Sequence, residues 1–378
     1  MVKKDRVINL FLELVQIDSE TMQERRIADV LTKKFKELGL EVLEDDSAAV
    51  TGHGAGNLIA TLKGNGKVNA EPILFTCHMD TVKPGIGIKP RIDEDGWIRS
   101  DGTTILGSDD KAGVAALLEL IQVLQENQIP YGDIQFVITA GEESGLRGAR
   151  ALDAKHLNAT YGFALDSNGE VGSICVAAPT QARIEMEIFG KSAHAGVNPE
   201  DGISAIQVAG KAIARMKLGR IDHETTANIG KFEGGGATNV VTDYVKLYAE
   251  ARSIVHEKVE KQIAEMKQAL DSACHDYGAR GEMNSNIIYP AFNHTEEAAV
   301  VQLAKQAAGQ IGLSGRTFHS GGGSDANIFN GLGIPTVNLA VGYENIHTTS
   351  ERIKADDIVK AAELVLEIVK AAPTQASS

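Results

Sequence analysis

The feature that most restricts the fold is an alternation of short apolar runs with segments of helical periodicity. Apolar runs typical of buried strands occur at residues 73–77, 135–139, 162–165 and 334–340. Residues 110–124 and 355–370 have the apolar spacing of amphipathic helices. Strands that alternate with helices favour an α/β fold with a doubly wound, mostly parallel sheet.

The middle of the chain has a different pattern. Its strand signals alternate apolar and polar residues, which is typical of an antiparallel sheet with one solvated face. These strand signals lie at 182–189, 243–251 and 283–289, and helical stretches lie at 203–216 and 255–276. The order strand–helix–strand–strand–helix–strand predicts a small ferredoxin-like α+β domain.

These two patterns predict a discontinuous first domain. We expect residues 1–178 and 291–378 to form the catalytic domain, and residues 179–290 to form an inserted lid or dimerisation domain. At the N-terminus, apolar residues from Val7 to Val15 recur at helical spacing, and acidic and polar residues interrupt any signal-peptide-like run. Residues 373–378 read as a short polar tail.

Charge and composition exclude several functions. The chain has 37 Lys and Arg against 51 Asp and Glu, a formal charge of −14, which disfavours nucleic acid and anionic membranes as partners. No apolar run of about twenty residues predicts a membrane span. Three scattered cysteines do not make a disulfide framework, so a cytoplasmic location is expected.

Five short segments carry acidic residues or histidine directly after a strand signal or before a helix. They are His78-Met-Asp80, Gly107-Ser-Asp109-Asp110-Lys-Ala-Gly113, Gly141-Glu142-Glu143, Leu165-Asp166-Ser and Asn345-Ile-His347. Each alone has an ordinary explanation, such as a surface ion pair, a helix cap or a solvated loop. In open parallel sheets, however, ligands bind outside the carboxyl ends of the strands. We therefore expect the five segments to meet.

Together these segments supply the ligands that two neighbouring metal ions need, including a carboxylate to bridge them. Imidazole and carboxylate suit zinc, with cobalt or manganese as alternatives. Asp80 is two residues from His78 on an extended segment, where it can orient the imidazole. Adjacent residues of an extended chain face opposite ways, so Glu142 and Glu143 are expected to divide metal binding from proton transfer.

The segments CHMDTV, LGSDDKAG, TAGEESG, LDSNG and NIHTTSE, in this order, resemble the co-catalytic zinc peptidase family. This family includes peptidase T, carnosine dipeptidases, aminoacylase and succinyl-diaminopimelate desuccinylase, and the resemblance extends over nearly the whole chain. It implies that His78 and Asp166 complete the ligands of one zinc ion and that Glu143 and His347 complete those of the other. Asp109 would bridge the two ions.

The resemblance also implies a mechanism. The Asp109–Asp110 peptide bond would be cis. A water molecule between the two ions would attack the carbonyl, with Glu142 as the general base and Asp80 orienting His78.

Further family motifs imply substrate contacts. His194 in KSAHAG resembles a histidine that reaches an active site, in many relatives that of the partner subunit, and a homodimer is expected. Asn239 in GGGATN resembles a substrate-contacting asparagine, and Arg252 resembles an arginine that binds a substrate carboxylate. The loop GGGSD, with Gly322 and Ser324, resembles a segment that lines the substrate cleft.

Asp166 favours one branch of the family, because many carboxypeptidases and deacylases of this family have Glu there. The chain is most similar to peptidase T, which implies a tripeptide aminopeptidase that acts on short peptides. An N-acyl-amino-acid deacylase or a dipeptidase on the same scaffold stays open. So does a metal-binding or assembly module without catalysis, although the intact Glu142 argues against it. A single-domain aminopeptidase is disfavoured by the inserted α+β segment.

Overall fold

The computed structural model describes residues 1–372, which divide into two compact units. The first unit contains residues 1–177, 293–319 and the chain from Ser324 onward, and the second contains residues 178–292 and 320–323. The second unit thus includes all of the segment expected as an insertion, together with residues 320–323, which the sequence did not assign to it. The polar tail at 373–378 lies outside the described residues.

The helices and strands up to residue 178 are, in order, α1 (Lys4–Val15), α2 (Arg25–Glu37), β1 (Glu41–Glu44), α3 (Ser47–Thr51), β2 (Leu58–Leu62), β3 (Ile73–His78), β4 (Arg91–Ile92), β5 (Trp97–Arg99), α4 (Ser108–Glu126), β6 (Ile134–Thr139), α5 (Arg147–Ala151), β7 (Tyr161–Ser167) and β8 (Ile174–Ala178). The next elements are β9 (Thr180–Phe189), α6 (Ala205–Arg215), β10 (Gly219–Arg220), β11 (Thr225–Gly234), β12 (Tyr244–Ser253), α7 (His256–Tyr277) and β13 (Arg280–Tyr289). The last are β14 (Phe292–Asn293), α8 (Ala299–Gln310), β15 (Thr317–His319), α9 (Asp325–Gly331), β16 (Thr336–Ala340), β17 (Arg352–Lys354) and α10 (Ala355–Ala371).

The main sheet has nine strands in the order β1-β2-β6-β3-β7-β16-β8-β14, with β15 paired to β8. Its centre, β6-β3-β7-β16, is parallel, and β1, β2 and β8 add antiparallel neighbours. The predicted doubly wound, mostly parallel α/β fold is confirmed. Parallel pairing brings the carboxyl ends of the four central strands to one edge of the sheet.

A row of aromatic rings holds the central strands in register. Phe75 of β3 pairs with Phe136 of β6 and with Phe163 of β7. Its ring centroid lies 6.0 Å from that of Phe136 and 5.7 Å from that of Phe163, and Phe35 of α2 continues the row at 6.1 Å from Phe136. All four rings are fully buried. All six residues of β3 are buried as well, so both faces of this central strand are covered.

The second unit is an antiparallel sheet of five strands in the order β10-β11-β12-β9-β13, with α6 and α7 packed on one face. Along β9, alternate residues from Ala182 to Ile188 are fully buried against these helices, and the residues between them are not. This is the period of two that the sequence predicted. Within residues 1–372, no helix is long and apolar enough to cross a membrane.

Candidate functional site

The five candidate segments lie at the carboxyl edge of the parallel strands. His78 is the last residue of β3, Asp166 is near the end of β7, and Glu142 and Glu143 form the turn that follows β6. Asp109 is at the start of α4, where the backbone departs from helical geometry. The Asp109–Asp110 peptide bond is cis, as the resemblance implied.

The first group of candidate metal ligands contains His78, Asp109 and Asp166, whose ligand atoms all lie within 4.8 Å of one another. The His78 Nε2 atom is 3.0 Å from Oδ1 of Asp109 and 3.7 Å from Oδ1 of Asp166. Asp166 is held by Asn338 of β16, which bonds its backbone N–H and C=O at 2.9 and 2.7 Å. Tyr343 donates its hydroxyl to the Asp166 carboxylate at 3.3 Å.

The second group contains Asp109 again, now with Glu143 and His347. The His347 Nε2 atom is 3.2 Å from Oδ2 of Asp109 and 3.1 Å from Oε1 of Glu143. The two oxygens of Asp109 therefore face two different histidines, one in each group. Unlike the buried His78, His347 lies in a loop and its side chain is half-exposed.

The turn at Glu142 differs from the sequence expectation. The amides of Gly145 and Leu146 bond back to the Glu142 carbonyl, so the chain is not extended here. The carboxylates of Glu142 and Glu143 both lie within 4.8 Å of His78 and of each other. The expectation that they face opposite ways was wrong, because a tight turn replaces the alternation of an extended strand.

Asp80 connects these segments in a way that the sequence did not indicate. Its carboxylate accepts hydrogen bonds from the backbone N–H groups of Glu142, at 3.0 Å, and Glu143, at 3.2 Å. The Nδ1 atom of His78 lies 2.9 Å from the Asp80 backbone carbonyl oxygen and 3.6 Å from the carboxylate. The side chain of Asp80 therefore fixes the Glu142 turn, and its backbone fixes the imidazole.

Carboxylates outnumber imidazoles in the cluster, and burial and the neighbouring charges shift their pKa values. Burial raises the pKa of Glu142 well above its usual range, assisted by the negative charge of Asp166, and burial also raises the pKa of Glu143 and of Asp166. Hydrogen bonds to Asp109 and then Glu143 raise the pKa of His347 to about 10. Although burial opposes it, the carboxylates around His78 raise the pKa of that imidazole too. A site with this many buried carboxylates suits bound cations.

Two residues that support the Glu142 turn were missed in the sequence. The buried ring of His53 lies against Gly141, and its Nε2 atom is 2.9 Å from the Ser144 hydroxyl. Asn57 bonds the Ala140 amide at 3.3 Å and the carbonyl of residue 148 at 2.9 Å. His53 and Asn57 precede strand β2, and no local motif connects either residue with its partner 91 positions later.

The expected substrate residues are divided between the units. In the first unit, Ser324 caps α9 and accepts a hydrogen bond from Asn338 at 3.0 Å. In the second unit, the exposed His194 and Asn239 lie on neighbouring segments, joined by a bond from the residue 195 amide to the Asn239 carbonyl. Arg252 is held by Glu250 at 2.9 Å.

Gly322 belongs to the short segment 320–323 of the second unit. Its amide donates to the Ser320 hydroxyl at 3.1 Å. A guanidinium nitrogen of Arg252 lies 3.5 Å from the carbonyl oxygen of Gly321, so the segment and the arginine are neighbours.

A further acidic group, Asp222-His223-Glu224, lies in the second unit. Its two carboxylates both form ion pairs with Lys258, which offsets part of their negative charge. The two groups that share Asp109 in the first unit are therefore the better candidates for metal sites.

A mostly parallel sheet with histidine and carboxylate groups at its strand ends is the arrangement of a metal-dependent hydrolase. The profile of the family described as Peptidase family M20/M25/M40 matches residues 74–371. The chain belongs to this family, and it is a peptidase.

Relatives that are at least 50% identical cover nearly the whole chain. The uncharacterised protein YqjE of Bacillus subtilis (strain 168) is 57% identical over 98% of this chain and 100% of its own. The crystal structure of aminopeptidase PepT from Bacillus cereus has 57% identity and a TM-score of 0.93, covering 98% of this chain and 99% of the other. That of a tripeptidase from Staphylococcus aureus has 50% identity and a TM-score of 0.95, covering 98% of both chains.

Proposed function

We propose that this peptidase is a tripeptide aminopeptidase that uses two divalent metal ions, zinc in the first instance. The observation that carries the proposal is the position of Asp109, whose two carboxylate oxygens face His78 and His347 separately. A carboxylate between two imidazole-containing groups is the arrangement that a pair of neighbouring ions requires.

The donor atoms fit such ions. His78, Asp109 and Asp166 would hold one ion, and Asp109, Glu143 and His347 would hold the other. Mixed imidazole and carboxylate ligands suit zinc, and cobalt or manganese could replace it. Bound ions would polarise the substrate carbonyl and lower the pKa of a water molecule.

Glu142 is the proposed general base. Its carboxylate is near both His78 and Glu143, and burial with the charge of Asp166 raises its pKa, which makes it a stronger base than an exposed glutamate. It would accept a proton from the attacking water and then give that proton to the departing amine. Asp80 would hold the turn that aims this carboxylate.

The named relatives support the choice of substrate. One is called an aminopeptidase and another a tripeptidase, and both are at least 50% identical to this chain over nearly its whole length. We propose a tripeptide with a free amino terminus as the substrate.

The substrate contacts are proposed from the sequence motifs. The first unit, with Ser324, would be the catalytic domain. The second unit, with His194, Asn239, Arg252 and Gly322, would be the lid or dimerisation domain. A homodimer and a cytoplasmic location stay predictions from the sequence.

The test is a turnover assay of protein reconstituted with zinc or cobalt. Its substrates are Ala-Ala-Ala, Ala-Ala, N-acetyl-Ala-Ala-Ala and N-acetyl-alanine. We expect release of the N-terminal alanine from the free tripeptide, and loss of this activity on acetylation or after a chelator. Cleavage confined to the N-acyl compounds would instead make the protein a deacylase, and preference for Ala-Ala would make it a dipeptidase.

A further inference from the structure

Glu351 is a buried carboxylate that binds a single distant segment of the chain. Its side chain is almost inaccessible to solvent and accepts four hydrogen bonds from residues 106–109. Oε2 accepts from the amides of Leu106 at 2.8 Å and Gly107 at 2.9 Å. Oε1 accepts from the Ser108 hydroxyl at 2.6 Å and the Asp109 amide at 3.1 Å. Both oxygens are therefore used.

The segment that Glu351 binds is not held by regular structure. Gly107 has a left-handed φ of +75°, and Asp109 departs from helical geometry with φ −84° and ψ 99°. Three of its backbone N–H groups bond to Glu351, and buried amides require such partners. The orientation of the Asp109 carboxylate thus depends on a side chain more than 240 positions away.

Glu351 also fixes the loop that carries His347. This loop is closed at its base by two backbone hydrogen bonds between Glu344 and Arg352, of 2.8 and 3.0 Å. His347 lies within the loop, four positions before Glu351. The carboxylate therefore links the segment of Asp109 directly to the loop of His347.

The two candidate ion positions differ in how they are built. His78 and Asp166 lie on central strands of the sheet, where the strand ladders hold them. His347 lies in a loop and is half-exposed, and the separation of its Nε2 atom from Asp109 depends on two irregular segments. The link through Glu351 matters most for this second position.

We propose that Glu351 is a positioning residue that sets the distance between Asp109 and His347, and so the affinity of the second metal position. It contacts no proposed ligand atom and acts only through the backbone and Ser108. The inference rests on the proposed two-metal function, and its test measures metal binding separately from peptide turnover.

The test measures cobalt binding to metal-free Glu351→Gln by visible absorption and by calorimetry. Glutamine keeps the size of the side chain but has one acceptor oxygen. Its NH₂ group would replace the other oxygen and face donors from which it cannot accept hydrogen bonds. We expect the affinity of the second cobalt equivalent to fall by about 10- to 100-fold, as is typical for partners of metal ligands, and that of the first to stay within about threefold. Excess cobalt should restore peptide turnover.

The matched control is Glu344→Gln in the same loop, whose carboxylate is exposed and pairs with Arg352. It should leave both cobalt affinities unchanged. Ser108→Ala removes one of the four hydrogen bonds and should also lower the affinity of the second cobalt equivalent, by a smaller factor. This variant replaces Glu351→Gln in the test if Glu351→Gln does not fold.

Two results would overturn the proposal. One is wild-type cobalt affinities in Glu351→Gln, whether or not the metal-free protein loses thermal stability, and the other is an equal fall in the affinities of both cobalt equivalents. Wild-type protein that binds fewer than two equivalents would refute the two-metal function itself.

Discussion

The substitution Asp80→Asn tests how Glu142, the proposed general base, is held. The Asp80 carboxylate accepts hydrogen bonds from the backbone amides of Glu142, at 3.0 Å, and Glu143, at 3.2 Å, one on each oxygen. Burial opposes its ionisation, but the neighbouring His78 and the Glu142 amide lower the pKa of Asp80, so it is charged at neutral pH. Asparagine would keep one acceptor and place an NH₂ group against the other amide.

The expected effect follows from the lost bond. A hydrogen bond to a charged group contributes about 1.5–3 kcal/mol, and asparagine retains one of the two. If the lost hydrogen bond orients Glu142 in the transition state, its energy adds to the activation free energy. Because about 1.4 kcal/mol corresponds to a factor of ten in rate, kcat should fall by about 10- to 100-fold. The shorter contact with His78, at 2.9 Å, is made by the Asp80 backbone carbonyl, which the substitution leaves in place, while the carboxylate is 3.6 Å away, so metal content should not change.

The assay measures kcat on Ala-Ala-Ala and bound metal in the same preparations. Asp153→Asn is the matched control, because this exposed carboxylate also accepts a hydrogen bond from a backbone amide, that of Lys155 at 3.0 Å, but belongs to none of the candidate metal groups. In a Glu142→Gln background, Asp80→Asn should lower kcat little further, because both substitutions act through the Glu142 carboxylate. A kcat within threefold of wild type, or full additivity of the two changes, would refute the reasoning.

Three further predictions follow from the same geometry. Glu142→Gln should retain both metal ions by elemental analysis but lose turnover by several orders of magnitude, and retained turnover would exclude Glu142 as the base. Gly141→Ala should lower both turnover and stability, because its Cβ would lie 2.2 Å from Nε2 of His53; Gly145→Ala, also at positive φ but with open space around it, should cost less activity. Because the pKa of His347 is raised to about 10 in the metal-free protein, its contribution to stability is complete below the unfolded pKa of about 6.5 and is lost as pH rises toward 10. Urea unfolding of chelator-treated protein between pH 6 and 10 should show this decline, and His347→Ala should flatten it.

The fold was predictable because local patterns and the packing agree. The run around Phe75 is apolar on both faces and became a central parallel strand, while the alternation in residues 182–189 became an antiparallel strand with one buried face. These periods report which faces are covered, and burial decides the type of strand.

The candidate ligands were also accessible from the sequence, because each follows a strand or begins a helix and parallel strands end at one edge. Their number and order made the joint signal specific. What the sequence did not give was the conformation between them. Glu142 and Glu143 form a turn, and the Asp80 carboxylate accepts hydrogen bonds from that turn, while the Asp80 backbone carbonyl makes the shorter contact with His78.

The sequence by itself therefore determined the two kinds of sheet, the family and the residues that meet at the strand ends. Only the tertiary structure decided how these residues are held, through His53 against Gly141, Asn338 against Asp166 and Glu351 against residues 106–109. The physical reason is that periodicity records burial over neighbouring residues. A hydrogen bond between irregular segments far apart in the chain depends on the positions of both in space, and leaves no periodic trace in either.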